Sequence, residues 1–523
     1  MTTKTAKSGS LGPPAPISQS PLWKIQEDYY RSHGISAWDE KVPYFVTNSV
    51  VIAETYADLL VAFLQDYAAH LDLSEPLHLL EIGAGIGRFG YLLLKELDRK
   101  LRYFPALRDV KIKLILTDFT DMPPSFWQKH ERLKPFVEAG QLDFAVFHPE
   151  SETSLKLRVS GQTVAAGSFK NPLVVLANYV FDSLRMDQFR IDAEGNLEEC
   201  LIELFKKPGG KHSTPKRTDI RDVTFEKSYR ATTPEHYPTA AWNDLLVEYT
   251  ANLKDATVLY PVGARQVLDN MRTLAGGNLV LLSSDRGFST VASMVAYQDF
   301  PYDLHEGCFS HQVNYHALGS TFPLFLHTTH RQLNSIQTVF CADVKDQPAE
   351  WPQLRYSFSE RLDRTNAVNT LAAEAFALVS DRQETWSTCL LAFVRMNLFD
   401  PNAFTVVAKR IVPIIPKLTL SERLELVMML DQIWDNFYQF KGAVKAPFWL
   451  GHLYYELGIY DRALFFLEKT VESEGDDDVL LYLRACCLDA LGNPDKARQL
   501  LKKALQKNSG FAEAREMLAR LGG

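Results

Sequence analysis

The chain has 523 residues, 46% of them hydrophobic and 23% charged, with a formal net charge of −8 and a pI near 5.9. That length exceeds one ordinary core and implies two or three domains of a soluble protein. The acidic balance, with no basic stripe to neutralise phosphates, argues against nucleic acid as a main partner, and no apolar run reaches the ~18 residues that a membrane helix needs.

Residues 1–20, rich in Ser, Thr, Pro and Gly, read as a disordered tail. They lack both the apolar centre of a secretory signal and the arginines of a transit peptide. Residues 21–75 read as a helical segment that ends in IAETYADLLVAFLQDYAAHL, with apolar residues at three- and four-residue steps. Strands and helices then alternate over 76–350. This predicts an α/β domain with a mostly parallel sheet covered on both faces, and a ligand cleft outside the strands' carboxyl ends.

The stretch LHLLEIGAGIGRFG (77–90) carries the most chemical information. An apolar run ends at Glu81, glycines follow at Gly83, Gly85 and Gly87, and a helical pattern comes next. The unit reads as strand, glycine turn and helix, which places bare backbone and free N–H groups beside a ligand. Gly85, Gly87 and Gly90 make a literal dinucleotide spacing. From Gly83, however, the pattern is G-x-G-x-G, with Arg88 where a third dinucleotide glycine would fall. A carboxylate two residues before the turn suits an ammonium and repels a pyrophosphate. The expected cofactor is therefore S-adenosylmethionine, with Glu81, Gly83, Ala84, Gly85 and Gly87 seating its methionine part. No metal site is expected.

A second strand, KIKLILTDFTD, ends at Asp118, where a carboxylate can accept from both ribose hydroxyls; Phe119 follows beside it. The alternative is that Asp118 caps a helix starting at Pro123. Asp143, in GQLDFAVF, is either an adenine contact or an ordinary turn aspartate. KKPGGKHSTPKR (206–217) reads as a solvated basic loop. Six cysteines without C-x-x-C spacing make disulfides and zinc poor readings and imply a reducing, cytoplasmic setting.

Three further segments extend the pattern: NPLVVLANYVFDSLRMDQFR (171–190), NLVLLSSDRGF with Asp285 and Gly287, and HQVNYHAL with Asn314. Together with the glycine turn, they resemble the MidA-like class I S-adenosylmethionine-dependent methyltransferases, from about Tyr44 to about Val344. The resemblance implies that Asn178, Tyr179 and Asp182 border the transferred methyl and the acceptor. It places residues 21–75 beside or over the cofactor. The chain departs from the family at three positions: Tyr179 stands in place of a glutamate, Asn314 in place of an aspartate and Arg286 in place of a tyrosine. Arginine methylation therefore does not carry over. His311 and His316 are candidate bases.

Near residue 350 the pattern changes to helices over 361–440, which read as a degenerate extension of the repeats that follow. ELGIYDRAL (456–464) then aligns with ALGNPDKAR (490–498), with Gly458 and Gly492 spaced by 34. This is the tetratricopeptide period, predicting repeats over 441–523. Such solenoids offer a concave surface, so the expectation is a methyltransferase whose protein or peptide acceptor is recruited by the repeats. A non-catalytic scaffold of the same fold is the main alternative. A nicotinamide-dependent oxidoreductase is disfavoured by Glu81 and Arg88, and a small-molecule methyltransferase using the repeats as a homo-oligomer contact remains a further reading.

Overall fold

The computed structural model describes residues 9–34, 47–214, 217–294, 303–305, 307–328, 336–364, 386–440 and 442–522. The expected tail over 1–8, part of the expected helical segment (35–46) and part of the expected helical region (365–385) lie outside them. The chain divides into two compact units, one built essentially from residues up to 366 and the other from 367 to 523.

The first unit is organised on a sheet whose core strands are β2 (Leu77–Glu81), β3 (Ile112–Asp118), β4 (Leu142–Val146), β5 (Leu173–Asn178), β10 (Leu279–Phe288), β11 (Leu324–His327) and β12 (Ile336–Asp343). Their spatial order is β11-β12-β10-β5-β2-β3-β4. The strands from β10 to β4 are parallel, and β12 runs antiparallel between β10 and β11. This is the Rossmann-like, mostly parallel arrangement of a class I methyltransferase, as the sequence predicts. Both faces are covered, so the strands are near-continuous apolar runs. On one face, helix α5 (Val262–Ala275) supplies Val267, Leu268, Met271 and Leu274 to a core with Leu80, Ile115, Val175 and Leu281. On the other, α2 (Val50–Tyr67) sets Phe63 against Phe340, with ring centroids 5.9 Å apart. The chain runs outward from β2 to β4 and then returns to β5 on the other side of β2. The loops after β2 and β5 therefore diverge and open a crevice.

A second sheet differs from the expected α/β alternation. Strands β1 (Ala15–Pro16), β6 (Asp187–Ile191), β7 (Leu197–Lys206), β8 (Val223–Ala231) and β9 (Ala256–Tyr260) pair only antiparallel. The period-two burial of β7 places Cys200, Ile202 and Leu204 in a core with Leu197 at the strand's start and Leu245, Leu246 and Tyr249 of α4 (Ala240–Asn252). The same core takes Ile17, Leu22 and Ile25. Residues 9–20 are thus not a disordered tail. Ala15 and Pro16 pair with Ile202 and Leu201, and Ser18 donates to the buried Asp187 through its N–H (2.9 Å) and its Oγ (3.0 Å). The Ser and Pro content of this stretch concealed one buried isoleucine and two specific polar anchors.

In the second unit, helices at Trp386–Met396, Pro401–Ile411 and Leu420–Asn436 precede two helix pairs, Ala446–Glu456 with Tyr460–Glu474 and Asp478–Ala490 with Pro494–Lys507. A final helix spans Ala512–Arg520. Gly458 and Gly492 hold matching left-handed turns at φ 77° and 79° between the helices of each pair. A Cβ on Gly451 would stand 2.8 Å from the Leu467 side chain, so the first pair crosses where no side chain fits. No described helix is long and apolar enough to cross a membrane.

Candidate functional site

The glycine turn is built by the sheet beneath it. The Ile82 N–H donates to Leu176 O on β5 (2.9 Å), the Ala84 N–H donates to Thr117 O on β3 (2.9 Å), and Thr117 Oγ1 donates to Glu81 O (2.7 Å). The chain can then leave the strand only through left-handed backbone. Gly83, Gly85 and Gly87 adopt φ 62°, 54° and 77°, which favour glycine. Helix α3 (Arg88–Leu101) starts directly after them. Gly90 has a different role: a Cβ there would lie 2.6 Å from Leu116 and 2.8 Å from Glu81 Oε2. It is a close-packing glycine, and the literal dinucleotide spacing through it is coincidental.

Glu81 is 6% exposed. Burial pushes its carboxyl up to about 8, opposed by a hydrogen bond from the Gly90 N–H. Its Oε2 has no hydrogen-bond partner among the described residues, and neither does Asn48 Oδ1. Both residues line one small pocket of about 30 Å³, together with Thr47, Ala84, Gly85, Ile86, Phe89 and Asn178. The Arg88 guanidinium bonds Asn48 O and fixes that residue's backbone. Two buried acceptors without donors in one pocket are an unmet demand for N–H groups.

A larger, solvent-open cleft of about 400 Å³ adjoins the pocket. Asp118 and Phe119 line it. Burial raises the Asp118 carboxyl to about 6, against hydrogen bonds from Thr120, Gly85 and Phe119. Thr120 contributes its N–H at 3.0 Å and its Oγ1 at 3.1 Å. Phe147 and His148, just beyond the end of β4, line the cleft farther along. One face of α1 (Leu22–His33) forms another wall, with Trp23, Gln26, Glu27 and Tyr30 at helical spacing and Gly34 just after it. Gln26 anchors this wall: its Nε2 donates to Ser183 O (3.1 Å) and its Oε1 accepts from the Phe309 N–H (2.9 Å).

Asp143 does not reach the cleft. It sits near the amino end of β4, where its carboxylate accepts from the N–H groups of Val159 (2.9 Å) and Ser160 (3.2 Å). The adenine-contact expectation is therefore corrected to a loop anchor. Asn178 lines the small pocket, but its Oδ1 is already taken by Tyr56 Oη (2.7 Å) and the Ser284 N–H (3.1 Å). Tyr179 lines both cavities in left-handed backbone at φ 50°, and burial holds its phenol well above the usual range.

Asp182 is buried behind the cleft wall. Its N–H donates to Asp285 Oδ2 (3.1 Å), and burial of the adjoining carboxyls raises both above the carboxylate range, with Arg286 opposing this at Asp182. Neither Asp182 nor Asp285 lines the cleft or the small pocket.

Neither histidine is placed as a base. Both ring nitrogens of His311 meet carbonyls, Leu184 O at 2.8 Å and Gln312 O at 3.0 Å. His316 Nδ1 contacts Tyr249 Oη (3.0 Å), which in turn accepts from Asn314 Nδ2 (3.1 Å). Asn314 thus serves as a structural crosslink and caps the helix after it through the Ala317 N–H.

Sequence reasoning missed Asn48, Gln26, Trp23 and Tyr30. The last three show the i, i+3, i+7 spacing of one helical face, a signal that was legible but undirected. No pattern marks Asn48.

A tetratricopeptide repeat model matches residues 479–506. No curated protein matches the chain. Among solved structures, the chain is similar to a Burkholderia thailandensis protein inferred to be a methyl transferase and bound to S-adenosyl-homocysteine; it shares 15% identity over 59% of this chain and 71% of that one, with a TM-score of 0.36. An uncharacterized protein of the same organism shares 12% identity over 80% and 82% of the two chains, with a TM-score of 0.34. A thermophilic repeat protein of Thermus thermophilus shares 16% identity over 32% and 89%, with a TM-score of 0.23.

Proposed function

We propose that the chain is an S-adenosylmethionine-dependent methyltransferase. One observation carries this reading: Glu81 and Asn48, each with a buried oxygen lacking a hydrogen-bond partner among the described residues, line one pocket with left-handed glycine backbone. An ammonium supplies three donors and the charge that would ionise Glu81, whereas a pyrophosphate would be repelled there. The methionine part of the cofactor would enter the small pocket by widening it, its ribose would meet Asp118, and its adenine would lie toward Phe119 and Phe147. When bound, the cofactor supplies an activated methyl carbon. The chain's task is then to align an acceptor along the α1 wall and exclude water.

The repeat unit supports a protein or peptide as acceptor, because stacked helix pairs present a concave surface for extended ligands. Tyr179 favours one other reading, a scaffold that retains the fold without catalysis, since it removes the carboxylate that the family places there. Calorimetric titration with S-adenosylmethionine, and with NAD as comparison, tests the cofactor reading. Micromolar binding of the first alone supports it, and absence of binding removes it. Transfer of a labelled methyl group into lysate protein then separates enzyme from scaffold.

A further inference from the structure

Tyr179 and Gly83 are the residues common to the linings of the small pocket and the large cleft. They face this junction from the carboxyl ends of β5 and β2, both in left-handed backbone, at φ 50° and 62°. Left-handed backbone is uncommon for a tyrosine and is retained where the surroundings impose it. A ligand reaching from Glu81 in the small pocket to Asp118 in the cleft would cross this junction. In S-adenosylmethionine, the atom midway between the ammonium and the ribose is the sulfonium sulfur. Gly83 has no side chain to offer it; Tyr179 has an aromatic ring.

We propose that Tyr179 recognises the charge of the methyl donor, its ring holding the sulfonium by a cation–π contact, so that the site prefers the charged donor to the neutral thioether product. This rests on the cofactor reading above and assigns Tyr179 a role in donor selection, not in removing a proton from the acceptor. The ring suits that role. Burial keeps the phenol protonated, so attraction comes from the ring face.

The test is calorimetric titration of the full chain with S-adenosylmethionine and S-adenosylhomocysteine. Wild type should bind the donor about 3- to 30-fold more tightly than the product, the range of a cation–π contact. Tyr179→Phe should keep that ratio and Tyr179→Leu should bring it close to one. The ratio is an internal control, because misfolding weakens both ligands together. A wild-type ratio near one, or a preference that survives Tyr179→Leu, overturns the proposal while leaving the cofactor reading intact. Failure of both ligands to bind wild type overturns both.

Discussion

The Trp127 indole Nε1 donates to Gly85 O at 3.0 Å and lies 2.8 Å from where a Cβ on Gly87 would stand. One buried side chain therefore pins one glycine of the turn and forbids a side chain on the next. Gly87→Ala must strain a left-handed residue and push against a ring that is 1% exposed. The expected cost is about 1–3 kcal/mol of stability, read as a lower melting temperature, with cofactor affinity weakened at least about tenfold. A variant that melts and binds like wild type would show that the turn tolerates rearrangement.

Glu81 is a liability in the empty protein. Its carboxyl is held near 8, above the ordinary value of 4.5, so the folded state binds the extra proton. The stability this contributes is fully present below about pH 4.5 and is lost as pH rises toward 8. Glu81→Gln removes that loss. The empty variant should be more stable than wild type at pH 8, by about 2 kcal/mol or more, and indistinguishable near pH 4.5. Denaturant midpoints at the two pH values check this; a variant less stable at pH 8 would mean that Glu81 has an internal cation.

Seating an ammonium requires the Glu81 carboxylate, so binding must release its proton when the pH is below about 8. Affinity for S-adenosylhomocysteine should then rise roughly tenfold per pH unit between 6.5 and 7.5. Asp118, held near 6, should steepen the fall below that value. Calorimetry in buffers of different ionisation heat counts the released proton directly. Glu81→Gln should bind more weakly and release none.

In the repeat unit, the Gly451 helix crosses so close that a Cβ would meet Leu467 Cγ and Cδ2 at 2.8 Å and its backbone N at 3.1 Å. Gly451→Val should force the pair apart at a cost of about 1–3 kcal/mol, seen as earlier loss of the repeat unit's helical signal on heating. Unchanged melting would argue that this pair slides freely.

The sequence made the sheet legible because buried parallel strands are apolar runs ending in polar residues, as at Glu81, Asp118 and Asn178. It made the repeats legible through their period. The antiparallel second sheet was not: β8 carries exposed residues on both faces, so no alternation advertised it, and β1 is only two residues long. Asp143 was misplaced because a strand's residues look alike at either end until the register is known. Trp127 and Asn48 reach the site from segments whose own patterns say nothing of glycine turns.

The most direct measurement is a crystal structure of the full chain soaked with S-adenosylhomocysteine. The account predicts the ligand's ammonium about 3 Å from Glu81 Oε2 and Asn48 Oδ1, with both ribose hydroxyls at Asp118 and the sulfur beside Tyr179. A ligand bound elsewhere, or a pocket at Glu81 that stays closed with the soaked ligand present in excess, would contradict it.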